Sequence, residues 1–119
     1  MSKPMVHARN SVRRWGGEPE DYVVYHDWFD QSKAADASMQ HRMFLHHALG
    51  IYLCEQQFGH EFVNSAGRTV QVRDVAEQHV LDDLGFIPSL SDWVKCMPIE
   101  PWMAGTRKAE RRKGAVLVD

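Results

Sequence analysis

Seven histidines are the one excess in the composition of this 119-residue chain. Histidine is a common ligand of transition metals and the side chain that titrates near neutral pH. The excess therefore points to metal binding, to acid–base chemistry or to hydrogen-bonded residues of a core. Three of the histidines, His41, His46 and His47, fall within residues 39–58, where apolar residues recur with helical spacing. We expect this stretch to form one long helix at the centre of the fold.

The three histidines of this predicted central helix point in different directions. At about 100° per residue, His47 lies on an apolar face, His41 projects roughly 120° away and His46 lies on a third, more polar side. Their separations are five, six and one residues, whereas two ligands from a single helix usually lie three or four residues apart. The three cannot share one ion, so a metal site has to recruit ligands from other segments.

A histidine and an acid four residues apart occur earlier in the chain. His26 and Asp30 share one border of a helix that the pattern predicts over residues 19–33. At this spacing the two side chains can share an ion or a hydrogen bond. The alternative is a partly buried histidine that the neighbouring acid holds in place.

A further predicted helix, 74–84, carries an acid inside its apolar stripe. Glu77 needs a partner there, because an unpaired buried charge costs several kcal/mol, and this makes it a candidate general base. The alternative is a capping box, which would turn the glutamate back toward the start of the helix. His79 lies toward the other side, one turn before Asp82 and Asp83, a spacing typical of a surface salt bridge.

Together these side chains support the hypothesis of a centre for one divalent metal ion, zinc, iron or manganese. The candidate ligands are His26, Asp30, His47 and either His41 or His79, with Glu77 as general base. Apolar stripes must converge in a domain this small, so we expect His47 and Glu77 to face the same interior. Such a centre would suit a small hydrolase, for example one that acts on a phosphoester.

Both ends of the chain are basic, although the net charge is −2. The basic residues are Arg9, Arg13 and Arg14 near the start and Arg107, Lys108, Arg111, Arg112 and Lys113 near the end. Like charges that lie so close together repel one another, and they persist more easily when an anionic partner neutralises them. Nucleic acid or an acidic protein would serve as such a partner. The alternative is a solubilising tail without a partner.

The overall pattern predicts a mainly α fold (α+β), a compact bundle of about four helices with one small β-hairpin. The helices are expected near 19–33, 38–58, 74–84 and 89–96, and the hairpin near 61–72. Ser89 is expected to cap the start of the last helix, with Asp92 three residues later. We expect a short basic helix or arm over residues 1–17, a single helical domain over 18–97, and a connector and basic tail over 98–119.

No run of residues approaches a membrane span, and the start of the chain lacks the apolar core of a signal peptide. We therefore expect a soluble cytoplasmic protein that does not associate with membranes. Glycine-rich phosphate loops and the motifs HExxH, CxxC and GxSxG are missing from the sequence. The enzyme classes that depend on those motifs are excluded, and whether the protein is an enzyme stays open.

Three segments carry a resemblance to a known family: GGEPEDYVVYHDWFDQSK, HRMFLHHALGIYLCEQQFG and VRDVAEQHVLDDLGFIPSLSDWV. They resemble a family of short, histidine-rich proteins of bacteria, archaea and phages that is described only as a domain of unknown function. The likeness covers about residues 7–97. It implies that the basic C-terminal tail is an addition to the common domain, and it brings no activity, substrate or cofactor.

Two functions follow from these observations. The first is a small phage or prokaryotic accessory protein without enzymatic activity, whose basic ends bind nucleic acid or a larger protein assembly. The alternative is the small metal-dependent hydrolase with its His/Asp/Glu site.

Overall fold

The structure is a computed structural model, and it describes residues 3–105. It confirms a mainly helical fold with one small antiparallel hairpin. The helices and strands are α1 (Pro4–Trp15), α2 (Val23–Phe29), α3 (Ala48–Phe58), β1 (Glu61–Val63), β2 (Thr69–Gln71), α4 (Val72–Leu84) and α5 (Leu90–Val94). Short 3-10 turns cover Pro19–Asp21, Gln31–Ala34, Met39–Phe44 and Pro101–Ala104. No helix within residues 3–105 is long and apolar enough to cross a membrane.

The most buried helix is α4, and α1, α2 and α3 all pack against it. Its apolar side chains Val72, Val75, Ala76 and Val80 are fully buried and form part of the core. The prediction that the stretch 39–58 is the most buried element is therefore wrong. The reason is that α3 buries one side only and leaves its second apolar face exposed to solvent.

The predicted continuous helix over residues 38–58 is divided in two. A 3-10 turn ends at Phe44, and α3 begins only at Ala48. At the break, His47 has an extended backbone, and its Nδ1 accepts a hydrogen bond of 3.0 Å from the Gly50 backbone N–H. The Ala48 backbone N–H donates to the Pro88 carbonyl at 2.9 Å. A side-chain cap and a distant backbone partner thus start a new helix at this point.

The predicted helix over residues 19–33 is divided as well, into a 3-10 turn, α2 and a second 3-10 turn. The carboxylate of Asp21 closes the first turn by accepting the Glu18 backbone N–H at 2.8 Å. It also accepts the backbone N–H of Ser65 at 3.1 Å and its hydroxyl at 2.7 Å. One carboxylate therefore joins the connection between α1 and α2 to the tip of the hairpin.

The predicted hairpin is confirmed, and it pairs Glu61 with Gln71 and Phe62 with Val70. The side-chain amide of Asn64 donates to the Trp15 carbonyl at 3.1 Å. Its carbonyl oxygen accepts two backbone N–H groups within the hairpin loop. The loop is thereby held against the end of α1.

The capped start predicted at Ser89 is confirmed in α5, although this helix ends at Val94 rather than near residue 96. Ser89 and Asp92 each accept the other's backbone N–H, as in a capping box. The indole of Trp93 donates to the His46 carbonyl at 2.9 Å. In this way α5 supports the break that precedes α3.

Replacement of Ile51 by Ala tests the packing of α3 against the core. Ile51 is 5% exposed, and loss of its buried side chain is expected to lower the free energy of unfolding by about 2–5 kcal/mol. Leu53 on the same helix is 39% exposed, so the matched control Leu53→Ala is expected to cost about 1 kcal/mol or less. Urea denaturation measures both, and equal losses would contradict this placement of α3.

Replacement of Asp21 by Ala tests the link to the hairpin. Hydrogen bonds from Glu18 and Ser65 lower the pKa of the Asp21 carboxyl. A lowered folded-state pKa stabilises the fold above the unfolded-state pKa, and this stability is lost as the pH falls through the folded value. We expect Asp21→Ala to lower stability by about 1 kcal/mol at pH 7 and the difference from the wild type to shrink in acid.

Thermal melts of the wild type and Asp21→Ala at pH 7 and at acidic pH would measure this difference. Asp27→Ala is the control, since Asp27 is exposed and makes no side-chain hydrogen bond within residues 3–105. A destabilisation by Asp21→Ala that is the same at every pH would argue against the carboxylate's role.

Candidate metal centre

Four buried side chains from three parts of the chain, α4 among them, come together in the interior. Asp30 follows the end of α2, His46 lies in the break before α3, and His79 and Asp83 lie one turn apart on α4. The side chains of both histidines are 0% exposed, that of Asp83 is 1% exposed and that of Asp30 is 5% exposed. Each contributes one atom to a group whose members all lie within 4.8 Å of one another.

The spacing of these four atoms is that of a coordination shell. His46 Nε2 lies 3.1 Å from His79 Nε2 and 3.0 Å from Asp83 Oδ2, and the last two atoms are 3.3 Å apart. Asp30 Oδ1 lies 3.5 Å from each histidine Nε2. Nitrogen and oxygen ligands that hold an ion tetrahedrally at roughly 2.0–2.1 Å are about 3.3–3.4 Å apart. The five measured distances are therefore close to those expected around one tetrahedral ion.

Asp30 is the member of the group with the fewest polar partners. Both of its carboxylate oxygens are buried, and neither accepts a hydrogen bond within residues 3–105. Burial by itself would raise the pKa of Asp30, but the nearby His79 and His46 outweigh burial and hold the pKa below its ordinary value. A buried carboxylate without donors is costly, and an ion bound to Oδ1 would compensate it.

The elements around the centre fix its ligands in place. The phenyl ring of Phe29 stacks on the His79 ring, with centroids 5.0 Å apart, and meets the edge of the His46 ring at 5.7 Å. The His46 backbone is held at both ends, since its N–H donates to the Arg42 carbonyl and its carbonyl accepts from Trp93. His79 and Asp83 share one side of α4 because they are four residues apart.

The carboxylate of Asp83 has two further neighbours. Its Oδ1 lies 3.2 Å from His7 Nε2 and 3.5 Å from an Arg42 guanidinium nitrogen. Burial would raise the pKa of Asp83, but its contacts with His46, His7 and His79 hold it well below its usual range. Asp83 is therefore ionised at neutral pH.

His7 of α1 bridges two acids. Its Nδ1 lies 3.1 Å from Asp82 Oδ2, and its Nε2 faces Asp83. Burial lowers the pKa of His7, but its contacts with the two carboxylates outweigh burial and raise the pKa above its ordinary value. An imidazolium at this position offsets part of the negative charge around the centre.

His26 of α2 backs His79 on the side away from the four-atom group. His26 Nδ1 lies 2.9 Å from His79 Nδ1, and His26 Nε2 lies 2.9 Å from the Ser11 hydroxyl. Burial and the neighbouring His79 and His7 lower the pKa of His26 to about 2. His26 is therefore a neutral imidazole.

The residues predicted from the sequence fall into two sets. Asp30 and His79 belong to the four-atom group, whereas His26 lies behind His79 and contributes none of the four atoms. His41 is buried with its ring centroid 5.7 Å from that of His46, and its Nδ1 lies 3.2 Å from the Ser32 hydroxyl. His41 is not one of the candidate ligands found within residues 3–105.

His47 and Glu77 do not join the candidate ligands either. His47 uses its Nδ1 to cap α3 and its Nε2 to contact the Phe44 carbonyl at 3.0 Å. Glu77 forms an ion pair of 3.0 Å with Arg73, four residues earlier on α4, and its side chain is 32% exposed. The expectation that the two face a shared interior at the metal site is corrected, because local partners hold each of them elsewhere.

Three residues of the centre were not among the sequence candidates: His7, His46 and Asp83. His46 was missed because a continuous helix would turn it toward a polar side, and the break changes its direction. Asp83 was interpreted as a surface acid, although it lies four residues after His79, the same spacing that identified His26 and Asp30. That spacing is the signal that could have found it.

The predicted basic residues near the start of the chain lie on the solvent side of α1. Arg9, Arg13 and Arg14 are exposed, and His7 and Ser11 on the same helix are buried. The residues predicted near the end of the chain, Arg107, Lys108, Arg111, Arg112 and Lys113, lie outside the described residues.

Comparison with known proteins gives one finding. No significant match was found among curated proteins or among solved structures. A family profile described as "Domain of unknown function (DUF6915)" matches residues 2–103, and this confirms the resemblance inferred from the sequence. Because the match spans most of the chain, the protein belongs to this family.

Proposed function

We propose that this domain binds one divalent transition-metal ion through Asp30, His46, His79 and Asp83. The observation that carries the proposal is the near-tetrahedral spacing of their four atoms, 3.0–3.5 Å in the measured pairs, around a carboxylate that has no hydrogen-bond donor. The bound ion would join α2, the break before α3 and α4. Its role is to stabilise the domain.

Zinc suits this donor set best. Zinc is bound in proteins by imidazole nitrogen and carboxylate oxygen, and it is four-coordinate and tetrahedral in nearly all structural sites. Two carboxylates also balance its charge. Iron(II) and manganese(II) accept the same donors, but manganese favours octahedral sites rich in oxygen, and non-haem iron sites keep open positions.

The enclosure of the four side chains favours a structural ion over a catalytic one. A catalytic zinc keeps one coordination position open for water or substrate, whereas a structural zinc has four protein ligands. All four candidate ligands here are at most 5% exposed. The hydrolase hypothesis also needed Glu77 as general base, and this residue is paired with Arg73. Hydrolysis is therefore not included in the proposal.

The free thiols Cys54 and Cys96 support a reducing environment, the cytoplasm of the producing or host cell. In such a compartment disulfides do not stabilise small domains, and a structural metal is an alternative.

Metal analysis and thermal melting test the proposal. The protein is expected to retain about one zinc per chain after dialysis, and a chelator is expected to lower its melting temperature. Zinc at roughly 1,000 times its Kd would stabilise the fold by about 4 kcal/mol. Asp30→Ala is expected to abolish stoichiometric zinc, while Asp27→Ala, an exposed acid on α2, keeps it.

Two results would contradict this proposal. Protein that retains no metal and melts at the same temperature with and without zinc would remove the centre altogether. Zinc-loaded protein that hydrolyses p-nitrophenyl phosphate, with activity lost in Asp30→Ala, would show that the ion has an open position and is catalytic.

A second function is supported by the charge on α1. Within residues 3–105, none of Arg9, Arg13 and Arg14 has an acidic partner, and all three are exposed. Exposed arginines free of intramolecular ion pairs are available to phosphates. We therefore also propose that this face of α1 binds nucleic acid, in an accessory protein of a prokaryote or phage.

A salt titration tests the nucleic-acid proposal. Each arginine that contacts a phosphate contributes about one unit to the dependence of log K on log salt, so the Arg9→Gln, Arg13→Gln, Arg14→Gln triple variant is expected to lower that slope by about 2–3. Binding to single- and double-stranded DNA and RNA at two salt concentrations measures the effect. Truncation after Gly105 measures the share of the C-terminal residues. No binding at low salt, or equal slopes for wild type and triple variant, would contradict the proposal.

A further inference from the structure

A chain of polar contacts surrounds the candidate metal centre and returns to it. It leaves the centre at His79 and re-enters it at Asp83. In order, the side chains are His79, His26, Ser11, Gln78, Asp82, His7 and Asp83. Asp82 is 23% exposed on its side chain, and the other members are buried.

The amide of Gln78 determines which atom donates and which accepts in the contacts from Gln78 to His79. Its Nε2 lies 3.0 Å from the His7 backbone carbonyl and 2.8 Å from Asp82 Oδ2, and both of these atoms only accept. The amide must therefore present its NH₂ to them. Its carbonyl oxygen then faces the Ser11 hydroxyl at 2.5 Å. Ser11 has one proton, and it donates that proton to Gln78.

The orientation of Ser11 determines both imidazoles behind it. The Ser11 hydroxyl donates to Gln78, and its 3.1 Å contact with the His7 backbone carbonyl, which only accepts, also directs the proton away from His26. At 2.9 Å from His26 Nε2 the hydroxyl oxygen therefore accepts. His26 is fully buried and forms no ion pair with an acid within residues 3–105, and a buried imidazolium without such a partner is costly. It therefore has one N–H, on Nε2, and its Nδ1 accepts. The partner of that nitrogen, His79 Nδ1 at 2.9 Å, must donate. The His26 and His79 ring planes differ by 24° with centroids 5.1 Å apart, as for two imidazoles joined edge to edge.

The consequence reaches the centre itself. With the proton of the imidazole on Nδ1, the lone pair of His79 is on Nε2, and Nε2 is the atom that faces Asp30, His46 and Asp83. The deduction starts at Gln78 and uses none of the distances within the four-atom group. It nevertheless leaves His79 in the tautomer that a metal requires.

We propose that His26 is a positioning residue, which fixes the tautomer of His79 so that the Nε2 lone pair faces the centre before any ion arrives. This inference rests on the proposed metal-binding function and deepens it. An unconstrained neutral imidazole populates both tautomers and has to change proton position before it binds. The hydrogen bond from His79 to His26 removes that step.

The same geometry explains why His7, His26 and His79, which also lie close enough together to be candidate ligands, serve as an outer shell. The Nδ1 atoms of His26 and His79, 2.9 Å apart, already share the proton that His79 donates. Both nitrogens of His7 face carboxylate oxygens. His26 and His79 are thus paired with each other, and His7 faces the two carboxylates.

Two variants of His26 separate its accepting nitrogen from its bulk. His26→Leu fills space without an acceptor, and it is expected to weaken zinc binding 10- to 100-fold, as loss of a partner behind a ligand commonly does. His26→Asn places an amide oxygen near the position of Nδ1 and is expected to restore affinity to within a few-fold of wild type. Val75→Ala, a fully buried position on the same helix as His79, controls for general destabilisation. Competition with a chromophoric chelator measures the affinities.

Nitrogen-15 NMR of the histidine rings supplies a readout that a merely structural role would not change. In metal-free wild type, His79 is expected to carry its proton on Nδ1, and in His26→Leu it is expected to show a mixture of tautomers. His79 protonated on Nε2 in the wild type would overturn the inference, as would wild-type zinc affinity in His26→Leu. If His26→Leu does not fold, wild-type NMR and His26→Asn decide.

The two proposals fail in different ways. Wild-type protein that binds no zinc removes the metal centre, whatever the tautomer of His79. Wild-type protein that binds zinc while His26→Leu binds it equally well leaves the centre in place and removes only the role of His26.

Discussion

The structure depends on the burial of two carboxylates, Asp30 and Asp83, in the interior of a small domain. An ionised carboxylate loses several kcal/mol of solvation when it leaves water, and it stays charged only where cations and donors replace that water. The elements that pack together are the ones that supply them. His7 comes from α1, His46 from the break before α3 and His79 from α4. The packing of the helices around α4 thus also neutralises the two acids.

A chain of this length has limited apolar surface to bury, and part of its interior is polar. The apolar core includes Tyr22, Phe29 and Val70 and the buried valines of α4. The histidine and acid side chains occupy the region between α1, α2 and α4. A metal ion bound as proposed would stabilise this region as apolar contacts stabilise the rest, because its binding energy would be available only to the folded chain.

Local chemistry made part of this fold predictable. The hairpin and the cap at Ser89 depend on residues within a few positions of one another, and both were found from the sequence. The break before α3 was not, because the Ala48 N–H bonds to Pro88, which is distant in sequence. The direction of His46 depends on that break. His46 could therefore not be placed from helical spacing alone, because its direction depends on a long-range backbone contact.

Asp83 could have been found, and the reason it was not is also physical. Helical spacing shows that His79 and Asp83 share a side, but it cannot tell a buried pair from one exposed to solvent when a neighbouring acid, Asp82, projects toward solvent. What buries Asp83 is α1, through His7. The short basic helix α1 thus has a buried side that contacts Asp83 as well as an exposed side that carries the arginines.

The direction of the hydrogen bonds that lead from Gln78 to His79 gives a further reason to expect a cation. With His79 Nε2 unprotonated, three atoms that can only accept converge on one point: this nitrogen, Asp30 Oδ1 and Asp83 Oδ2. Only His46 Nε2 could bring a proton to that point. One N–H cannot satisfy three acceptors. A single divalent cation satisfies all of them and His46 as well, so a network oriented by Gln78 converges on a site whose natural complement is a metal ion.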